Sequence, residues 1–345
     1  MNDVFDAMAA QGAHRILMLN DTRSGLKAII ALDDVTLGPA CGGIRSQPYE
    51  SFELALTDVA KLSQAMTLKC AIAGLDAGGG KTVVIDHPGM NRADAFRALG
   101  AYVQELGGLY HCAGDLGTSF EDLTHVAEKT SFCDLSGEDL GAATGVSVVN
   151  GIRACAALRG ITDLASLKIA VQGAGLIGES VARAMAAHGA HIRVADVDAV
   201  RAAKLAADIG GEAVPADSVL MQDVDIVSPC AIGGVLTPEV VAGLKAWAVC
   251  GGANNQLGDA SVADQLAARD IGYVPDFLAS SGAVILGACR NIMKVDPQPF
   301  LAAVEVTARQ VLEQSQDKGL STVEIAKLIA RSRIDGARTQ RTKGG

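Results

Sequence analysis

The chain has 345 residues, 49% of them hydrophobic, and 39 acidic against 29 basic residues give a formal charge of −10. That size and apolar content suffice for a core and point to two domains, and a 20% share of charged residues without any low-complexity tract excludes disorder. Glycine takes 39 positions, about 11% where roughly 7% is usual. The longest runs free of Asp, Glu, Lys and Arg, such as 277–289, reach 13 residues. A membrane-spanning helix needs ~18 or more apolar residues, so no membrane partner is expected. An acid at position 3 and no basic-then-apolar opening argue against a secretory signal, which places the chain in the cytoplasm. The eight cysteines show neither a CxxC pair nor metal-ligand spacing, so reduced core thiols and no metal are expected. The only basic cluster is the terminal RTQRTK, which leaves no footprint for nucleic acid.

In chain order, apolar and β-branched runs at 16–19, 27–32 and 82–86 predict strands, while 51–66 and 91–106 carry helical spacing. From Leu167 the texture changes. Short apolar strands at 168–172, 191–196, 224–228, 247–251 and 271–274 alternate with Ala-rich helical segments, the pattern of a parallel, doubly wound sheet. Helices follow at 299–317 and from Ser321, where Glu324 completes a capping box, and the closing TQRTKGG is expected to be a disordered tail. The fold class is therefore α/β. Residues 1–138 form a mixed α/β domain and 139–320 a Rossmann domain, with 321–345 a terminal helix and tail packing back toward the first; the joint between the halves is placed at 136–143.

The strand Lys168–Gln172 runs into Gly173-Ala-Gly175-Leu176-Ile177-Gly178, a helix follows, and Asp196 lies 18 residues beyond the third glycine at the end of the next strand. In that context GxGxxG is a dinucleotide fingerprint. Gly173 allows the tight turn, Gly175 lets backbone N–H groups approach a pyrophosphate, and Gly178 permits close helix packing. Asp196 would accept from ribose hydroxyls and repel a 2′-phosphate, which favours NAD over NADP, with Arg201 the nearby cation that bears on the choice.

A second Gly-rich run, Gly74-Leu-Asp-Ala-Gly78-Gly79-Gly80-Lys81-Thr82, imitates a P-loop but has Leu75 where a glycine is required and continues as a strand. Its glycines are expected to bring backbone close to a ligand and aim Lys81 at it. Lys69, in Met66-Thr-Leu-Lys69, also sits among small and apolar residues, where a lysine usually has a function. His111 reads as an ordinary strand histidine.

Taken together, GPACGG, MTLK, AGGGKTVV, AGDLGT, VQGAGLIG, SPCAIGG, GGANNQL and PDFLASSG resemble the Glu/Leu/Phe/Val dehydrogenase family, in order and from about Ile16 to Asp335, and most nearly its shorter branch. The resemblance implies NAD-linked, reversible oxidative deamination of a nonpolar L-amino acid to a 2-oxo acid and ammonia. It also implies a cleft between catalytic and Rossmann domains, and a homo-oligomer of at least two copies. By motif, Lys69 holds the substrate carboxylate, Lys81 and Asp115 are catalytic, and Gly42 and Gly43 line the substrate's approach. Met66, Cys41 and Ser147 fall beside the substrate, while Leu176, Ile177, Ala231 and Asn254 join the fingerprint residues at the cofactor. The chemistry suits these residue types. Hydride leaves Cα only when the amine is neutral, so a base must be at hand, and two neighbouring ammonium groups would lower a lysine toward working pH. The chain departs from the family at Ser280-Ser281-Gly282-Ala283, where NAGG is common, in the linker-like segment 142–147, and at Cys41, where leucine is common; the pocket's preference stays open on these grounds. The competing functions are a nucleotide hydrolase, opposed by the strand around Lys81, and an NAD-sensing scaffold, opposed by the intact Lys69, Lys81 and Asp115.

Overall fold

Residues 4–343 are described by a computed structural model, in which two sheets organise two compact units. The first unit comprises the chain up to Gly137, Gly287–Asp296, and the segment from Ala330 onward; the second comprises Glu138–Leu286 and Pro297–Ile329.

The sheet of the first unit contains β1 (Arg15–Asp21), β2 (Leu26–Leu32), β3 (Ala40–Gln47), β4 (Gly78–Ile85) and β5 (Tyr110–Gly114) in the order β1-β2-β4-β3-β5. β2 runs antiparallel to both of its neighbours, β1 and β4, whereas β3 runs parallel to both β4 and β5, so the sheet is mixed. Alternation sorts the side chains. Ile29, Ala31 and Val83 face the helix Phe52–Ile72 through Ala55, Leu56 and Val59. Ala28, Ile30, Leu32 and Val84 face Phe96, Leu99 and Val103 of the helix Arg92–Glu105. Because both faces are covered, β2 is apolar and buried at every position but the exposed Lys27. Ser51 caps the first helix by accepting from the Leu54 N–H at 3.2 Å.

β3 is the main departure from expectation. GPACGG has the composition of a turn, yet Ala40–Gln47 is an eight-residue strand, because its backbone pairs on both sides, with β4 and with β5. Tertiary pairing overrides the weak β-propensity of Gly, Ala and Cys.

In the second unit β6 (Lys168–Gln172), β7 (His191–Ala195), β8 (Glu212–Ala213), β9 (Ile226–Pro229), β10 (Ala248–Val249) and β11 (Gly272–Tyr273) form an all-parallel sheet ordered β11-β10-β9-β6-β7-β8. The order reverses at β6, between β7 and β9, so the carboxyl end of β6 is a switch point where a doubly wound sheet binds its ligand. The short β8 was not anticipated.

The two units divide between Gly137 and Glu138, inside the expected joint at 136–143, and the linker-like 142–147 belongs to the helix Glu138–Leu158. That helix, from Asp139, is the one stretch among the described residues long and apolar enough to cross a membrane. The charge-free runs did not suggest it, and 61% of it is buried inside the protein, as in a core helix. The last helix, Thr322–Lys343, is opened by Ser321, whose Oγ accepts from the Glu324 N–H at 3.4 Å. It continues through residues 339–343, where a disordered tail was expected; Gly344 and Gly345 lie outside the described residues. Within the first unit Arg333 donates to the carbonyls of Gly74 and Leu75 and to Asp76, and Arg338 pairs with Asp34.

Candidate active site and dinucleotide site

β4 carries Lys81 at its centre, between β2 and β3. Its side chain is 7% exposed, and its Nζ lies 2.7 Å from Oδ2 of Asp115, just past the end of β5. An ammonium withdrawn from water holds its charge only beside a partner. Burial pulls the Lys81 pKa down, Asp115 opposes this, and Arg45 adds to it, leaving the lysine below its ordinary value. Arg45 is a cation in this balance that the sequence reading did not include. For Asp115, burial works upward but is outweighed by Lys81 and then Arg45, so the carboxyl sits below its usual range.

The glycines around this pair divide by what surrounds them. A Cβ on Gly43 would stand 2.7 Å from Asp115 Cβ, 2.8 Å from the Gly114 carbonyl and 3.1 Å from Lys81 Nζ, so Gly43 abuts the pair itself. Gly42, by contrast, backs onto the Gly80 carbonyl, which a Cβ on it would approach to 1.8 Å. Gly79 lies against Ser63 and Thr67 of the helix Phe52–Ile72, Gly78 against the Asp34 carbonyl, and Gly80 against the Tyr110 ring. Protein atoms thus occupy the space that side chains on the GGGK glycines would need. Lys81 belongs to a strand that starts with those glycines, without the loop-to-helix geometry of a P-loop.

Lys69 and Met66 are half-buried on the helix Phe52–Ile72, whose Thr67 packs on Gly79 and donates to Asp33 at 2.6 Å. The Cys41 thiol faces that of Cys70 at 3.4 Å and fills core. All eight cysteines are free thiols, as composition suggested. The sequence reading missed Arg45, Asp58 and Tyr49, which extend the Lys81–Asp115 pair. The available signal was an arginine inside a strand of small residues.

In the second unit Gly173 has φ +97, and a Cβ there would lie 2.9 Å from that of Ala231. Gly178 lies against the Gly173 carbonyl, where a Cβ would come within 1.9 Å. Gly175 differs from both. It is the N-cap of the helix Leu176–Ala187, has ordinary backbone angles, makes no side-chain cap bond, and a Cβ on it would meet nothing within 4 Å. Open space over the N-terminal turn of a helix suits an anion, so these residues fit the pyrophosphate of a dinucleotide. Leu176 is exposed beside it, whereas Ile177 packs near Gly252.

Asp196 is 8% exposed at the side chain and accepts from the backbone N–H groups of Ala174 at 2.7 Å and Asp198 at 2.9 Å, which ties the fingerprint loop to the end of β7. Burial would raise its pKa, but those two bonds and Arg201 hold it lower, as a carboxylate. Arg201 approaches Asp196 at 3.9 Å and Asp198 at 3.5 Å, leaving two carboxylates against one guanidinium. Asn254 accepts from the Ser280 hydroxyl at 3.1 Å. Ser147 is fully buried. Its hydroxyl is within bonding distance of the Ala279 carbonyl, 2.6 Å, and the Gly282 N–H, 3.1 Å, so it acts as an internal tie to the Ser280–Gly282 segment.

Comparison with known proteins agrees with this arrangement. Residues 11–132 match the Glu/Leu/Phe/Val dehydrogenase dimerisation domain, and residues 194–341 match the Glutamate/Leucine/Phenylalanine/Valine dehydrogenase family. The chain is 38% identical to a phenylalanine dehydrogenase of Caldalkalibacillus thermarum, over 93% of this chain and 90% of that one. It is 35% identical to the leucine dehydrogenase of Bacillus subtilis, over 99% and 96% respectively. The crystal structure of L-tryptophan dehydrogenase from Nostoc punctiforme superposes with a TM-score of 0.88 at 30% identity, covering 97% of this chain and all of that one. Sites and similarity converge: the chain belongs to the Glu/Leu/Phe/Val dehydrogenase family and is an NAD(P)-dependent amino acid dehydrogenase.

Proposed function

We propose that the protein catalyses NAD-linked, reversible oxidative deamination of a nonpolar L-amino acid to its 2-oxo acid and ammonia, with Lys81 and Asp115 as the catalytic pair. The observation that carries this reading is the buried lysine 2.7 Å from a carboxylate, with a glycine in place of any side chain beside them. Lys69 pairs with the substrate carboxylate, and Gly43 lets the Lys81–Asp115 pair close up against β3. The bound dinucleotide supplies the acceptor for the hydride from Cα. A neutral Lys81 takes a proton from the substrate ammonium side of the reaction, activates the water that adds to the iminium carbon, and assists ammonia loss; Asp115 takes and returns the proton in turn. The depressed Lys81 pKa is what makes the neutral amine accessible.

The nonpolar substrate is supported by relatives named for phenylalanine, leucine and tryptophan. The test is NADH formation at alkaline pH across the L-amino acids, with kcat/KM recorded for each. Preference for glutamate or another charged substrate would sink the reading. A homodimer or larger assembly through residues 11–132 is supported by the dimerisation-domain match there.

The preference for NAD is supported by the net negative group Asp196, Asp198 and Arg201 at the end of β7, which would hold ribose hydroxyls and repel a 2′-phosphate. Asp196→Ser is expected to lower the NAD-over-NADP ratio of kcat/KM by about tenfold or more; an unchanged ratio would contradict the role of Asp196. Gly175→Ala tests the anion site. The added methyl meets no protein atom within 4 Å and the backbone needs no positive φ, so the stability change should stay within about 1 kcal/mol, the poorer N-cap being partly offset by the lower freedom of the unfolded chain. NAD affinity should fall by about tenfold or more, because the methyl enters the pyrophosphate's space. Unchanged affinity by calorimetry would remove the dinucleotide from that turn.

A further inference from the structure

Asp115 does not rest on Lys81 alone. Arg45, on β3 two residues after Gly43, donates from Nε to Asp115 Oδ2 at 3.1 Å, the same oxygen that Lys81 holds. One terminal nitrogen of the same guanidinium reaches both oxygens of Asp58 at 3.2 Å. Asp58 lies on the helix Phe52–Ile72 and accepts from the Tyr49 hydroxyl at 2.6 Å. Arg45 and Asp58 are 20% and 26% exposed, so the chain of contacts is largely withdrawn from water. A guanidinium is planar, with donors at fixed angles. Anchoring one of its nitrogens on Asp58 therefore fixes where Nε points, and with it where Asp115 stands. The four charges alternate, Asp58, Arg45, Asp115, Lys81, and sum to zero.

We propose that Arg45, anchored by Asp58 and Tyr49, is the positioning residue of the active site, holding Asp115 against Lys81 and setting the protonation balance of that lysine through its charge. This rests on the reading of Lys81 and Asp115 as the catalytic pair. The ionisable groups bearing on Lys81 are Asp115 after β5, Arg45 on β3 and Asp58 on the helix, and their signs make the proposal specific. Arg45 disfavours the ammonium, whereas Asp115 and Asp58 favour it. Burial, then Asp58, raises the Tyr49 phenol, so Tyr49 remains a donor at alkaline pH.

The experiment is the pH profile of kcat/KM and kcat for Arg45→Gln, Arg45→Lys, Asp58→Asn and Tyr49→Phe, each checked for folding by thermal unfolding. Arg45→Gln removes a cation and leaves two carboxylates beside Lys81, so the acid limb moves to higher pH. Its kcat falls about 10- to 100-fold as Asp115 loses its brace, while KM changes by less than about threefold. Arg45→Lys returns the limb toward its original position but not kcat, because an ammonium cannot hold both carboxylates in the fork geometry. Asp58→Asn moves the limb to lower pH. Tyr49→Phe alters no charge and leaves the limb in place with a reduced kcat. A folded Arg45→Gln enzyme with an unmoved limb overturns the proposal, as does full recovery of kcat in Arg45→Lys. Should Arg45→Gln fail to fold, an unmoved or upward-shifted limb in Asp58→Asn overturns it equally. Turnover retained by Lys81→Met would refute the catalytic pair itself; an inactive Lys81→Met with an unshifted Arg45→Gln profile would refute the role of Arg45 alone.

Discussion

Replacing Lys81 with methionine should lower kcat/KM for amino acid deamination by about 10²- to 10⁴-fold, the range that a positioned general acid–base contributes. Methionine approximates the lysine stem in length and carries no charge, so a side chain only 7% exposed is exchanged for an apolar one of similar volume. Asp115 keeps Arg45 as a partner at 3.1 Å, so no carboxylate is left buried and unpaired, and the variant should fold and bind NAD as the parent does. That combination separates chemistry from structure. Single-turnover NADH formation and NAD titration measure the two sides, and undiminished turnover would remove Lys81 from the mechanism. In the parent, the acid limb of kcat/KM should fall below the pH at which an ordinary lysine titrates, because burial depresses the Lys81 pKa more than Asp115 restores it. As pH drops through that value the amine protonates and activity is lost. The variant should lack this limb altogether.

Gly43→Ala should be nearly as damaging, for a different reason. The methyl would lie 2.7 Å from Asp115 Cβ, 2.8 Å from the Gly114 carbonyl and 3.1 Å from Lys81 Nζ. The first two distances are overlaps with atoms held in or beside β5, so strand and carboxylate must both shift. Overpacking of this kind costs about 1–3 kcal/mol of stability, and displacing Asp115 from Lys81 by a fraction of an ångström to an ångström costs about 10²-fold in kcat. Lys69, on a different element, is untouched, so the loss should appear in kcat more than in KM. Gly79→Ala is the useful control. Its methyl would strike Thr67 and Ser63 of the neighbouring helix, so it should destabilise the fold without the selective loss of kcat. If Gly43→Ala and Gly79→Ala behaved alike, the special place of Gly43 beside the catalytic pair would be disproved.

Much of the second unit was legible beforehand. The strands near 168–172 and 191–196, the fingerprint between them and the acid at the end of the second strand are all local signals, set by hydrophobic period and by the backbone freedom of glycine. The helices expected over 51–66 and 91–106 formed as Phe52–Ile72 and Arg92–Glu105 for the same reason. β3 was not legible, because a Gly-Ala-Cys segment becomes a strand only when two neighbours offer it hydrogen bonds.

The excess of glycine shows where local pattern gives way to tertiary structure. From residue order alone, Gly42, Gly43 and Gly78–Gly80 look equivalent, and all seem to serve a ligand. In the fold a side chain on Gly43 would meet the side chains of Lys81 and Asp115, while the others make room for a helix, a neighbouring strand and the Tyr110 ring. The order of motifs along the chain, through the family they resemble, already pointed to a lysine, an aspartate and a dinucleotide loop. Which glycine faces the reaction, and that Arg45 and Asp58 complete the ion chain, depended on strands and a helix distant in sequence meeting in the sheet. Hydrophobic period and glycine freedom act over a few neighbouring residues and can be read in order, whereas charge pairing and steric clearance act through space and exist only once the chain has folded.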